Sequence, residues 1–162
     1  MVQKWKSRCA LGMIGALLLG SCLTVSAEEV SPAGYHVYDV QEDEASDTWY
    51  GIARGDYLQA AVSKIKQGKT GYAIGSGTTF AHRDCEELYV RIYLDQSDNG
   101  KDGWGTIDYW TGREYNESFV TVNSDYYKVT RDKYYSVKGV HSVFQGDIVE
   151  TTTTCTDALY FD

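Results

Sequence analysis

The chain has 162 residues, with 15 lysines and arginines against 23 aspartates and glutamates, giving a formal net charge of −8. So acidic a chain lacks the basic face that phosphate backbones require, which sets nucleic acid aside as a partner class. Fourteen tyrosines and a single proline favour pleated, half-buried strands over helices.

The first element is an export signal. Lys4, Lys6 and Arg8, with no acid among them, precede an apolar run from Cys9 to Val25 that closes in Val25-Ser26-Ala27 ahead of Glu28. A charged start, a short apolar stretch and a small-residue cleavage site read as a secretory signal over residues 1–27. The run is short for a retained anchor, which needs about 20 apolar residues. Leu19-Gly20-Ser21-Cys22 also resembles a lipobox, in which Cys22 would carry lipid and hold the chain to a membrane. Leu23 to Val25 continue apolar, which is unlike a lipoprotein start.

Cleavage after Ala27 leaves 135 residues, one domain's worth and enough for a real core. It removes three cations and no acid, so the formal charge moves from −8 to −11. Two cysteines remain, Cys85 and Cys155, and an even count in an exported chain reads first as a disulfide. Two free thiols or a metal site are the weaker alternatives, because no Cys-x-x-Cys or close Cys/His spacing accompanies them.

Residues 28–55 read as an acidic lead-in, with Gln41–Asp47 a solvated linker and Tyr35–Val40 an edge strand. Residues 56–162 read as the folded domain. Tyr57–Lys66 has helical spacing at Leu58, Ala61, Val62 and Ile65, but it lacks a stop and adjoins clear strands, so it is assigned as a strand. Thr70–Thr79 carries Tyr72 and Ile74 among glycines. Leu88 to Leu94 alternates cleanly, with Leu88, Val90, Ile92 and Leu94 inward and Tyr89, Arg91 and Tyr93 outward. Asp95–Gly103 is a turn cluster, and Trp104–Trp110 returns from it as a hairpin. Strands at Ser118–Asn123, Tyr134–Val143, Ile148–Cys155 and Ala158–Phe161 complete the series. About seven short strands without intervening helices predict an all-β, antiparallel sandwich.

Tyr135-x-Val137-x-Gly139-x-His141-x-Val143, followed by a turn and a threonine-rich strand, resembles the last two strands of fibronectin type III and immunoglobulin-like domains. Tyr135 then stands where those folds place their corner tyrosine. The arrangement over residues 49–162 also resembles a group of small exported proteins of Gram-positive bacteria with no assigned function. They share the signal, the Tyr-Tyr-x-Val-Lys/Arg-Gly/Cys-Val-His segment and the final threonine-rich stretch. The resemblance implies a fold and a compartment, secreted or at the bacterial cell surface, and carries over no catalytic residue. An immunoglobulin-type bridge joins different strands from those that hold Cys85 and Cys155.

Candidate sites are few. Asp95-x-Ser97-x-Asn99-Gly100 matches the first half of a calcium loop, but Thr106 stands where a bidentate Glu is needed; a polar hairpin loop is the stronger reading. Arg54-Gly55-Asp56 is an adhesive tripeptide too short to be specific. His82, Asp84 and His141 could serve a secreted enzyme only if folding gathered them. No nucleophile elbow, zinc-protease helix or phosphate loop occurs, and no cofactor is expected. The aromatics remain: Tyr89 and Tyr93 face outward, and Trp104 and Trp110 share one face of the returning strand. Such a row could stack on sugars or anchor a protein, with core packing the alternative for the tryptophans. The expectation is an exported, non-catalytic binding or adhesion module for an extracellular protein or glycan, touching a membrane only if lipidated at Cys22. A secreted enzyme with a dispersed site is the alternative.

Overall fold

The computed structural model describes residues 28–52 and 57–162. The export segment with Cys22, and the Arg54-Gly55-Asp56 tripeptide, lie outside the described residues. The chain is all-β. In order, the strands are β1 (Glu28–Val30), β2 (Gly34–Val40), β3 (Glu44–Gly51), β4 (Leu58–Gln67), β5 (Tyr72–Cys85) and β6 (Glu87–Ser97). They continue as β7 (Gly105–Glu114), β8 (Glu117–Asn123), β9 (Tyr127–Lys128), β10 (Lys133–Gln145), β11 (Ile148–Cys155) and β12 (Leu159–Phe161). One sheet runs β1-β11-β10-β6-β7 with β12 on β10; the other runs β2-β3-β4-β5-β8 with β9 on β5. Among these pairings only β1 on β11 is parallel. No helix of the described residues is long and apolar enough to cross a membrane.

The two sheets pack with complementary inner faces. Leu88, Val90, Ile92 and Leu94 are buried, as their alternation predicts, and Tyr135, Val137 and Val143 join them from β10. Facing them, the second sheet presents small residues, with Ala45, Ala61, Ser63, Ala73 and Thr79 buried beside the larger Trp49, Leu58 and Ile65. At Gly77 an added Cβ would lie 3.0 Å from Val90 Cγ2 and closer still to Ile92. Bulky branched residues on one sheet therefore fill space that glycine and alanine leave on the other, which is how dense interiors are reached. Tyr57–Lys66 follows its strand reading, since β4 covers it.

The lead-in differs from its expectation. Residues 44–51 form β3, whose Ala45, Asp47 and Trp49 alternate into the core. Asp47 is buried because its charge is partnered: Oδ1 lies 2.9 Å from His36 Nδ1, and Oδ2 accepts the Cys155 amide at 2.7 Å. One carboxylate thus ties β2 and β3 to the end of β11. Among the described residues there are twelve strands where about seven were expected: β2 follows the edge-strand reading of Tyr35–Val40, whereas β3 begins inside the stretch read as a solvated linker.

Tyr135 is fully buried, and its hydroxyl is saturated. It donates toward Gln96 Oε1 (2.9 Å) or Thr130 O (3.0 Å) and accepts the Thr130 amide at 2.8 Å. The ring therefore pins backbone five residues upstream. Tyr135→Phe keeps the ring and removes the hydroxyl's bonds to half-buried Gln96 and to the Thr130 backbone, so unfolding free energy should fall by about 1–2 kcal/mol. Urea denaturation checks this, and a loss below about 0.5 kcal/mol would remove the pinning role.

A tyrosine–arginine face on the first sheet

Cross-strand pairs share a face, so the register of the β6–β7 hairpin decides what its outer surface presents. Tyr93 opposes Tyr109, Arg91 opposes Thr111, and Tyr89 opposes Arg113. On the next strand Lys138 opposes Tyr93 and Val140 opposes Arg91. The outward face of β7-β6-β10 is therefore a flat field of Tyr89, Tyr93, Tyr109, Arg91, Arg113 and Lys138.

Its components brace one another. The Arg91 guanidinium sits 5.1 Å from the Tyr109 ring and 5.7 Å from the Tyr89 ring, and Arg113 sits 5.1 Å from Tyr89. Such cation–π contacts contribute about 0.5–1 kcal/mol each where exposed. Arg91 Nε also donates to Thr111 Oγ1 at 3.1 Å, and Arg113 pairs with Glu87. Tyr93 and Tyr109 lie tilted with centroids 6.3 Å apart. Lys138 Nζ lies 2.5 Å from Asp95 Oδ2, and that bond holds the lysine protonated above its ordinary range. The Arg91 and Arg113 guanidinium groups thus lie over tyrosine rings on the outward face.

Of the four aromatics expected here, Tyr89 and Tyr93 lie on this face, both half-buried. Trp110 does not. It opposes inward-facing Ile92, stacks edge-on against Tyr127 at 5.6 Å and packs on the core. Trp104 is half-buried in the loop before β7. Tyr109, 57% exposed, takes the outward place instead. The register shifts between Leu94 and Asp95, leaving Ile107 as an extra residue between the Asp108 and Thr106 pairs. A bulge of this kind reverses the phase of alternation, and residue order alone does not reveal it.

The expected disulfide is absent: Cys85 is a buried free thiol and Cys155 an exposed one. They belong to different sheets, β5 and β11. Burial pushes both thiols up, so neither is poised as a thiolate nucleophile.

The Asp95–Gly103 loop spends its oxygens internally. Asn99 Oδ1 accepts the Lys101 and Asp102 amides at 2.8 and 3.0 Å, and Ser97 Oγ donates to Asp102 O. Asp95 is buried, paired with Lys138 and accepting Thr106 Oγ1 at 2.6 Å. Among the described residues no group of three or more His, Cys, Asp or Glu is arranged to hold a metal.

Nor does folding gather His82, Asp84 and His141. His82 and Asp84 are exposed on β5, while His141 is buried between the sheets. There His141 Nδ1 lies 3.0 Å from Thr79 Oγ1, whose own proton goes to Tyr89 O at 3.0 Å. Thr79 must therefore accept, which places the imidazole proton on Nδ1. Nε2 lies 2.9 Å from Thr154 Oγ1 and 3.4 Å from Ser63 Oγ; Thr154 donates to Ser63 at 2.6 Å, which leaves the Ser63 proton for Nε2. Strands β4, β5, β6, β10 and β11 all meet at this imidazole, a structural bolt with no open side.

Residues 23–159 match the model of a protein family described as a family of unknown function, DUF6147, and the chain belongs to that family. No curated protein and no solved structure matches it.

Proposed function

We propose that this family member is an exported, non-catalytic binding module of immunoglobulin-like topology, and that it holds a protein partner on the tyrosine–arginine face. Export is supported by the charged, apolar and small-residue pattern of residues 1–27. The topology is supported by strand order: β4-β5-β8 opposite β11-β10-β6-β7 follows the A-B-E and G-F-C-C′ arrangement of such sandwiches. The Tyr135 hydroxyl, returning to Thr130, supports it too.

The observation that carries the functional reading is the stacking of Arg91 and Arg113 on Tyr89 and Tyr109. Tyrosine and arginine are the residues that concentrate binding energy at protein interfaces. A neutral sugar stacks on a bare ring face, and here guanidinium groups already cover ring faces, which favours a protein over a glycan. The guanidinium donors suit carboxylates or backbone carbonyls on that partner.

A photo-crosslinking residue at Tyr109, introduced in producing cells, should give a discrete adduct that the same residue at Ser76, on the other sheet, does not. Arg91→Ala should weaken the captured complex by at least about 2 kcal/mol, roughly 30-fold. Equal adducts from both faces, or none, would overturn the reading. A glycan array that responds while no protein adduct forms would move the ligand to carbohydrate.

A further inference from the structure

β2 ends the second sheet, and among the described residues no strand pairs with its free edge. Two flanking backbone bonds fix which groups face that edge. Ile52 N–H donates to Ala33 O at 3.2 Å, and Gln41 N–H donates to Glu44 O at 2.7 Å. Bonded residues alternate along an antiparallel ladder, so Tyr35, Val37 and Asp39 turn their backbone groups toward β3. Gly34, His36, Tyr38 and Val40 turn theirs outward.

The strand carries few of the devices that keep edges apart, Asp39 being its one acidic residue. It has no proline, no lysine or arginine and no bulge in its pairing with β3. It is also apolar on both faces while exposed: Tyr35 53%, Val37 46%, Tyr38 57% and Val40 51%.

We propose that β2 pairs antiparallel with β2 of a second copy of this chain, about a two-fold axis through Val37, joining two second sheets into one continuous sheet. In that register Gly34 opposes Val40 and His36 opposes Tyr38, so every outward-turned residue meets an outward-turned residue. Val37 meets its own counterpart as a close non-bonded pair. Charge selects the same arrangement. Asp39, Glu42 and Asp43 crowd one end of the strand, whereas Ser31 to Tyr35 at the other end carry no charge. Antiparallel pairing sets each acidic end beside a neutral one, with Asp39 opposite Tyr35, and parallel pairing would stack like charges. This self-matching of hydrogen-bonding groups and charge is the property an isologous interface requires. The edge lies in the sheet opposite the tyrosine–arginine face, so either assignment can fail alone.

Sedimentation equilibrium of the exported chain should show a concentration-dependent dimer. Val37 is half-exposed and points away from the core, so Val37→Lys leaves the monomer intact, which a melting temperature equal to that of wild type at concentrations too dilute for the dimer verifies. It should weaken dimerisation at least about tenfold, because two lysines oppose across the axis. Val37→Glu should do the same. An equimolar mixture of the two variants should regain the wild-type constant within about threefold, since Lys then faces Glu. The proposal is overturned by a wild-type chain that stays monomeric up to about 1 mM, by variants that dimerise like wild type, or by a mixture that does not recover.

Discussion

Adding one methyl group at Gly139 should lower the unfolding free energy by at least about 3 kcal/mol. A Cβ there would overlap Ser63 Oγ and His141 Nε2 and come within 2.6 Å of Thr154 Oγ1. None of these atoms is the free end of a flexible chain. Each belongs to the hydrogen-bonded cluster that joins the sheets; Ser63 and Thr154 are both buried, Ser63 on a strand held between β3 and β5 and Thr154 directly opposite Gly139. Relieving the overlap would mean either parting the sheets or breaking the bonds to His141. Urea denaturation of Gly139→Ala against wild type measures the loss. Ser63→Ala removes the nearest obstructing atom, so the double variant should be more stable than the sum of the two single losses predicts, by about 1 kcal/mol or more. A Gly139→Ala protein within about 1 kcal/mol of wild type would mean that the cluster is loose.

Stability should also fall as the solution is acidified from neutrality, with His141 responsible. Burial lowers its pKa from 6.5 to about 3. Between those values the unfolded chain takes up a proton that the folded chain refuses, so acid favours unfolding throughout the window. The slope is one proton, about 1.4 kcal/mol per pH unit, or about 2 kcal/mol between pH 6.5 and 5. Above about pH 7 the term vanishes, because neither state is protonated there. His141→Gln retains a donor and an acceptor but cannot titrate. It should cost stability at pH 7, where a fitted network is lost, and its urea midpoint should then fall less steeply with acid than that of wild type. His36 and His82 are present in both proteins, so the difference in slope isolates His141. Parallel slopes would show that the buried imidazole takes up its proton as easily as a solvated one.

The sequence resolves as far as its local pattern is one-to-one with geometry. Leu88 to Leu94 alternates without interruption, so its inward and outward sets could be read directly, and they place Tyr89 and Tyr93 correctly. The tyrosine-rich, proline-poor composition fixed the choice of strands over helices, and the motif around Tyr135 pointed to a ring that the fold does bury and bond. Gly139 and His141 stand in that same motif, yet nothing local shows that one exists to make room for the other.

What the pattern did not carry depends on partners distant in the chain. Asp47 sits in an acidic run and reads as solvated; it is buried because His36 and the Cys155 amide, the latter 108 residues away, satisfy its carboxylate. Cys85 and Cys155 pair by arithmetic and are separated by their places on two sheets. Trp110 and Tyr109 exchange roles because one extra residue at Ile107 reverses the phase of β7. Composition and alternation thus determined that this chain makes sheets and which side of its best strand faces inward. Register, bulges and the meeting of remote polar groups decided which side chains reach the surface, because hydrogen-bond satisfaction is a property of strand pairs and not of single strands.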